Sequence, residues 1–204
     1  MKDTYYEYRL QPTSSSLYDC HEAPWARYFG ADIIACSAGG NEEEVVGHLG
    51  GYVLMAEHGG VEGVIDSADA VSGELHRAAH AAYNLDDGWV DLYLGDIYIN
   101  MFYIETMYIE PEHRSKGAGK DILISFLGKV AYGCSGVFLR PIPLEKVEGR
   151  IGRADDPSLE LKKRLVSFYK NTGFIEVEDT PFMLLNMDDV YKRTPNEEEE
   201  EGDQ

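Results

Sequence analysis

A mixed α/β fold, built on one sheet with antiparallel ends and helices on both faces, is predicted by three features of the chain. The elements read in the order strands, helix, long strand, tight turn, helix, strand, helix, two strands. Residues 97–109 form the longest β-rich run. That run reaches Pro111, and the glycine turn that follows opens an amphipathic helix.

Along the chain, Tyr5–Leu10 alternates polar and apolar residues and reads as a strand, followed by a polar loop over Pro12–Ser16. His21–Phe29 reads as a short helix with Trp25 on its buried side. Asp32–Ser37 is an apolar strand, and Gly39-Gly40-Asn41 a turn. Val45–Ala56 is a longer strand interrupted by Gly47, Gly50 and Gly51, closed by His58-Gly59-Gly60. Val71, Leu75, Ala78, Ala79 and Ala82 then fall at helical spacing, predicting a helix over 67–84 with Asp66 or Ser67 as cap. Trp89–Leu94 reads as a short strand or an ordered loop.

Ile97–Ile109 is the central strand, and Gly117–Val130 a helix turning Ile122, Leu123, Phe126 and Val130 inward. Gly136–Ile142 is a strand stopped by Pro141 and Pro143. Glu145–Arg153 reads as charged and flexible. Asp156 as N-cap with Pro157 in the first turn starts a helix that buries Leu161, Leu165 and Phe168 and ends at Gly173. Phe174–Val177 and Phe182–Met187 pair like a hairpin. Residues 1–192 are expected to form one domain, and 193–204 an acidic, disordered tail.

Composition narrows the function. A chain of 204 residues with 44% hydrophobic content is long enough for a real core. No apolar run approaches the ~20 residues of a membrane span, and Met1–Tyr6 lacks the apolar stretch expected of a signal peptide. Cys20, Cys36 and Cys134 are few and widely spaced, which points to reduced thiols and a cytoplasmic setting. No CxxC is present. His76 and His80 lie four apart without a third ligand, so no metal is expected. The net charge of −19 repels nucleic acid and anionic membranes, and neither is expected as a partner. It suits a basic acceptor, such as a polyamine or a Lys side chain. It equally serves solubility.

Residues 104–119 carry the most chemistry. Small residues at Ser115, Gly117, Ala118 and Gly119 leave backbone N–H groups uncovered. The helix start adds unpaired donors and partial positive charge. Arg114, Lys116 and Lys120 supply mobile cations, so the segment reads as a pyrophosphate site. A Walker loop is excluded, because Gly119-Lys120 is followed by Asp121. A dinucleotide fingerprint is excluded, because Ile122 stands where its third glycine belongs.

The remaining pattern, Arg114-x-x-Gly117-x-Gly119 after a strand ending in x-Pro, resembles the acyl-CoA signature of the GNAT N-acetyltransferase superfamily. A second segment agrees: Tyr169 stands four residues before Gly173-Phe174, where that family carries a general-acid tyrosine. The family's usual Asn seven residues before that Tyr is replaced by Lys162. The resemblance covers roughly residues 30–188. It implies a mixed, mostly antiparallel central sheet flanked by helices, with acetyl-CoA as co-substrate. It also implies a cofactor site from Met107, Tyr108 and Ile109, whose backbone meets pantetheine and the oxyanion, through Arg114–Lys120.

Transfer to an amine needs a base, because an ammonium cannot attack a thioester. Glu105 is the candidate, set among aromatic neighbours and at the offset from Arg114 used in spermidine/spermine acetyltransferases. Glu110 is the alternative. A strand bulge in this family leaves open whether Glu105 or Thr106 faces the cleft. The implied activity is acetyl transfer to a cationic, polyamine-like amine. A protein Lys or N-terminal amine, or a non-catalytic acyl-CoA-binding module, remain alternatives, and a homodimer is left open.

Overall fold

The computed structural model describes residues 6–13, 23–37, 43–84, 88–96 and 99–191. The turn expected at Gly39–Asn41, Cys20 and the acidic tail lie outside them.

Three antiparallel strands lead: β1 (Tyr6–Thr13), β2 (Ala26–Ser37) and β3 (Glu43–Met55). Pro12 belongs to β1 rather than to a loop, which its edge position allows because no neighbour needs its missing N–H. The helix expected over His21–Phe29 is absent from residues 23–29. Ala26–Phe29 instead extends β2 backward, because Tyr28 and Phe29 pair across to Tyr52 and Gly51 of β3. Trp25 precedes the strand in a turn and packs on Gly59 and Gly63.

Helix α1 (Ala56–Val71) begins where a closing turn is expected at His58–Gly60, and Gly60 kinks it at φ 67° and ψ 177°. The single helix expected over 67–84 is broken at Ser72, whose hydroxyl accepts from Leu75 N and caps α2 (Gly73–Tyr83). Residues 90–94 are helical, α3 (Val90–Leu94), neither strand nor loop.

Strand β4 (Asn100–Ile109) is central. A 3-10 turn at Pro111–His113 leads to α4 (Ala118–Val130), then β5 (Gly136–Leu139). The segment expected to be flexible is a hairpin, β6 (Leu144–Val147) and β7 (Arg150–Arg153). Two ion pairs hold it: Lys146 to Glu110 at 2.6 Å and Arg153 to Glu74 at 2.6 Å. Helix α5 (Leu159–Thr172) is capped by Ser158 rather than Asp156, since Ser158 Oγ accepts from Leu161 N. It ends at Gly173, φ 115°, as expected. Strands β8 (Ile175–Glu176) and β9 (Met183–Asn186) pair antiparallel, and α6 (Met187–Tyr191) follows.

The main sheet runs β1-β2-β3-β4-β5-β9-β8, with every pairing antiparallel except β4–β5. Helices cover both faces. On one, Phe102 and Ile104 of β4 pack with Leu123, Phe126 and Leu127 of α4. On the other, Met101 and Tyr103 pack with Val64 of α1 and Leu75 and Ala79 of α2. This is the mixed, mostly antiparallel architecture expected from the sequence.

Two features of β4 position the site. Its ladder with β5 covers only Met101–Ile104 against Gly136–Leu139. Its ladder with β3 slips between Gly50 and Gly51, which face Thr106 and Ile104, so Glu105 is the extra residue of a bulge. Ile104 and Met107 both reach the α4 side, two residues being spent between them where alternation allows one.

Gly51 is required here, since a Cβ on it would lie 2.1 Å from the Tyr103 carbonyl oxygen. Gly51→Ala is therefore expected to destabilise the fold by about 1–3 kcal/mol, because the obstacle is backbone that cannot swing aside. Urea unfolding measures this, and a midpoint equal to that of the parent chain would refute it.

Candidate active site: a cleft between two diverging strands

Beyond Ile104 and Leu139, β4 and β5 part. A cleft of about 600 Å³ opens there, within the range of small-ligand sites. Its walls come from β4 (Met107, Tyr108, Ile109), the turn before α4, the segment after β5 (Ile142, Pro143, Leu144) and one side of α5. Of the residues singled out from sequence, it gathers Met107, Tyr108, Ile109, Arg114, Ser115, Lys116, Gly117, Gly119, Lys120 and Tyr169. Ala118 instead packs toward the core, and Glu105 is not a wall residue.

The turn is built for an anion. Ser115 and Gly117 take left-handed backbone, at φ 60° and 85°, which bends successive N–H groups into a concavity. Gly117 is the N-cap of α4 and no side chain caps that end, so the first N–H groups of the helix point outward unmet by a capping side chain. Gly119 has the Phe168 ring 3.3 Å from where its Cβ would stand.

One sequence expectation about this turn needs correction. Arg114 is not a mobile cation. Its Nε donates to the Ile109 carbonyl at 2.6 Å and its guanidinium lies 5.3 Å from the centroid of the Tyr108 ring. Its own N–H donates to Pro111 O at 3.2 Å and is spent there.

Tyr169 is buried, and its hydroxyl donates to Met107 Sδ at 3.8 Å across the cleft. Burial pushes its pKa well above that of a free tyrosine, so it holds its proton at neutral pH. Tyr169 and not Phe168 is the core residue here. Phe168 is half-buried and lines the cleft, as does Leu161, which is exposed rather than inward.

Glu105 and Glu110 have opposite environments. Burial raises the Glu105 carboxyl, an effect that Arg153 opposes, Glu74 reinforces and His48 opposes. Glu110 accepts from Lys146 Nζ at 2.6 Å and from the Tyr108 hydroxyl at 2.8 Å. Those two bonds, Lys146 first, hold its pKa below the usual carboxylate value. Glu105 lies on the α2 side of the sheet. Nearby, Glu74 of α2 gathers Arg77, Arg140 and Arg153.

Sequence reasoning missed His113, Arg164 and Leu144 as cleft residues. Only His113, one residue before Arg114, carried a usable signal. Elsewhere, His76 pairs with Asp69 at 3.4 Å and stacks on His80. Among the described residues no group of three His, Cys, Asp or Glu is placed to hold a metal ion.

No protein-family model matches the chain, and no curated protein matches it. Among solved structures, it is similar to a chain of a KacTA–DNA complex, with 11% identity over 91% of this chain and 97% of that one and a TM-score of 0.47. It is also similar to Arabidopsis thaliana NAA60 in complex with a bisubstrate analogue, at 14% identity, 74% of this chain, 63% of that one and a TM-score of 0.38. A third likeness is to a Klebsiella pneumoniae chain named as an acyl-CoA N-acyltransferase, at 12% identity, 89% of this chain, 97% of that one and a TM-score of 0.38. At these levels of likeness, the cleft's own residues carry the functional reading.

Proposed function

We propose that this chain is an acyl-CoA N-acyltransferase of the GNAT type that moves an acetyl group from acetyl-CoA to the primary amine of a cationic, polyamine-like acceptor. One observation carries the reading: the strand gap opens at one end on an uncapped helix N-terminus and has a buried, protonated tyrosine on its wall. The N–H groups from Ser115 to Lys120, with the ammonium groups of Lys116 and Lys120, suit the pyrophosphate of CoA. The cleft edge of β4 over Met107–Ile109 suits pantetheine as an added strand.

The chemistry follows from what each group can do. Glu105 takes a proton from the ammonium, and its raised pKa makes it a stronger base than a carboxylate at the ordinary glutamate value. Glu110, already held by Lys146 and Tyr108, is the poorer candidate. The free amine attacks the thioester carbonyl. The N–C bond forms, and a backbone N–H of Met107–Ile109 stabilises the oxyanion. The C–S bond then breaks, the thiolate takes its proton from Tyr169 across the space now spanned by Met107, and the second proton shed by the new amide nitrogen restores the Tyr169 hydroxyl. The chain's net charge of −19 favours a cationic acceptor over an anionic one.

Calorimetry with CoA tests the cofactor half directly. Gly119→Val drives a side chain against the Phe168 ring on the cleft wall, 3.3 Å from where its Cβ would stand, and is expected to weaken CoA binding about tenfold or more, roughly 1.4 kcal/mol. No heat with the parent chain would reject the reading. Tyr169→Phe is expected to lower kcat about 10²-fold while CoA affinity holds. Equal loss of both would assign Tyr169 to packing alone.

Glu105 acts as a base only when ionised. The rate should therefore rise with pH through a value above the ordinary glutamate range and fall below it. Glu105→Gln should remove that limb and cost about 10²–10⁴ in kcat. A pH–rate profile that keeps the limb in the Gln variant would reassign the base.

A further inference from the structure

Arg164 is the cation on the α5 wall of the cleft, where Leu161, Leu165 and Phe168 are apolar and Tyr169 is neutral. Spacings of three and four residues put it on one face of the helix with Leu161 and Phe168. It has no ion-pair partner among the described residues, although the chain holds 37 Asp and Glu against 18 Lys and Arg. Glu160 stands four residues before it, the order and spacing at which a Glu–Arg pair forms on a helix, yet the two do not pair. Arg9, Arg77, Arg153, Lys146 and Lys170, by contrast, each hold a carboxylate. An arginine left open on a cleft wall, in a chain of net −19, is set to meet an anion that arrives from solution.

We propose that Arg164 binds the 3′-phosphate of coenzyme A and makes this chain discriminate CoA from its 3′-dephospho form. The proposal rests on reading the cleft as an acyl-CoA site. Order along α5 supports it. On that reading, Tyr169 stands where the thiol takes its proton. One residue earlier, the Phe168 ring meets the first turn of α4, 3.3 Å from where a Cβ on Gly119 would stand, so Phe168 marks the level of the diphosphate turn. Arg164 is a further helical turn toward the start of α5, about 6 Å beyond Phe168 by the rise of an α-helix. CoA carries its groups in the same sequence: thiol and pantetheine, diphosphate, then the ribose with its 3′-phosphate.

The division of charge agrees with this placement. The diphosphate is met by the N–H groups from Ser115 to Lys120 and by Lys116 and Lys120. Arg114 also lines the cleft, but its guanidinium is held by the Ile109 carbonyl and the Tyr108 ring, so the α4 wall has no further guanidinium to offer. The 3′-phosphate is a monoester of charge about −1.5 to −2 near neutral pH, with three acceptor oxygens. A planar guanidinium matches such a group through two parallel N–H bonds, and a Lys ammonium matches it less well. Lys162 and Lys163 precede Arg164 on the exposed surface of α5 and add to the positive field there. The carboxylates closest in sequence to the two helix starts, Glu160 and Asp121, are not wall residues of the cleft.

The test is calorimetry with CoA and with 3′-dephospho-CoA on the parent chain, Arg164→Gln and Arg164→Lys. Arg164 is exposed, so both variants are expected to fold, which circular dichroism checks. The parent is expected to bind CoA about ten- to thirtyfold more tightly than dephospho-CoA. Arg164→Gln is expected to lose that margin, binding CoA about tenfold more weakly while its affinity for dephospho-CoA stays within about twofold of the parent's. Arg164→Lys, which keeps the charge but not the planar fork, is expected to keep part of the margin. Equal weakening of both ligands by Arg164→Gln would assign Arg164 to the diphosphate, and weakening of neither would remove it from the phosphates altogether. Either result, or a parent that binds the two ligands alike, overturns the proposal while the acyl-CoA reading stands. If the parent gives no heat with either ligand, the acyl-CoA reading fails and takes the proposal with it.

Discussion

The structure turns on the failure of β4 and β5 to stay paired. Their parallel ladder lasts four residues, Met101–Ile104 against Gly136–Leu139. Pro141 and Pro143 lack N–H groups and cannot extend β5 along its neighbour. On the other edge of β4, the bulge at Glu105 bends the strand and increases its twist. A gap opens in the middle of a sheet whose other strands remain joined. Backbone groups that a continuous sheet would consume become the lining of a cleft.

Everything with a chemical role sits along that gap. The turn after β4 places the start of α4 at one end of it, and α5 brings Tyr169 to its wall. Glu105, at the bulge, keeps the face of Tyr103, near Glu74 and Arg153, while the bulge brings Met107 to the cleft side. A single irregularity therefore separates a phosphate-binding side from a proton-accepting side. The hairpin β6–β7 ties the two, since Lys146 holds Glu110 on one and Arg153 holds Glu74 on the other.

Charge is distributed to match. A protein of net −19 would repel a cofactor rich in phosphate, yet Arg114, Lys116 and Lys120 fall within seven residues beside the open amides. Arg114 is spent on structure, its guanidinium fixed by Ile109 O and the Tyr108 ring. The lysines and the helix dipole remain as the local positive field. Around Glu105, burial is the largest influence and sets the upward direction of its pKa, with Arg153 and His48 acting against it and Glu74 with it.

The turn, α4, the central strand and the Gly173 stop were legible because each is specified by neighbours in sequence. Glycine geometry, helical spacing and β-branched or aromatic runs need no distant partner to be read. The extension of β2 over Ala26–Phe29 and the hairpin at 144–153 were not legible. Both depend on partners far away: β3 for the first, Glu110 and Glu74 for the second. The face taken by Glu105 was undecidable from alternation, since a bulge resets the period and is set by how Gly50 and Gly51 meet β4. The hydrogen-bonded side chains of Asp32, His48 and Tyr28 left no motif, as they are brought together by register alone. By itself, then, the sequence determined the local chemistry of an anion-binding turn and the order of the elements. Tertiary structure decided which side chains face one another, because pairing register and strand divergence are properties of the assembled sheet.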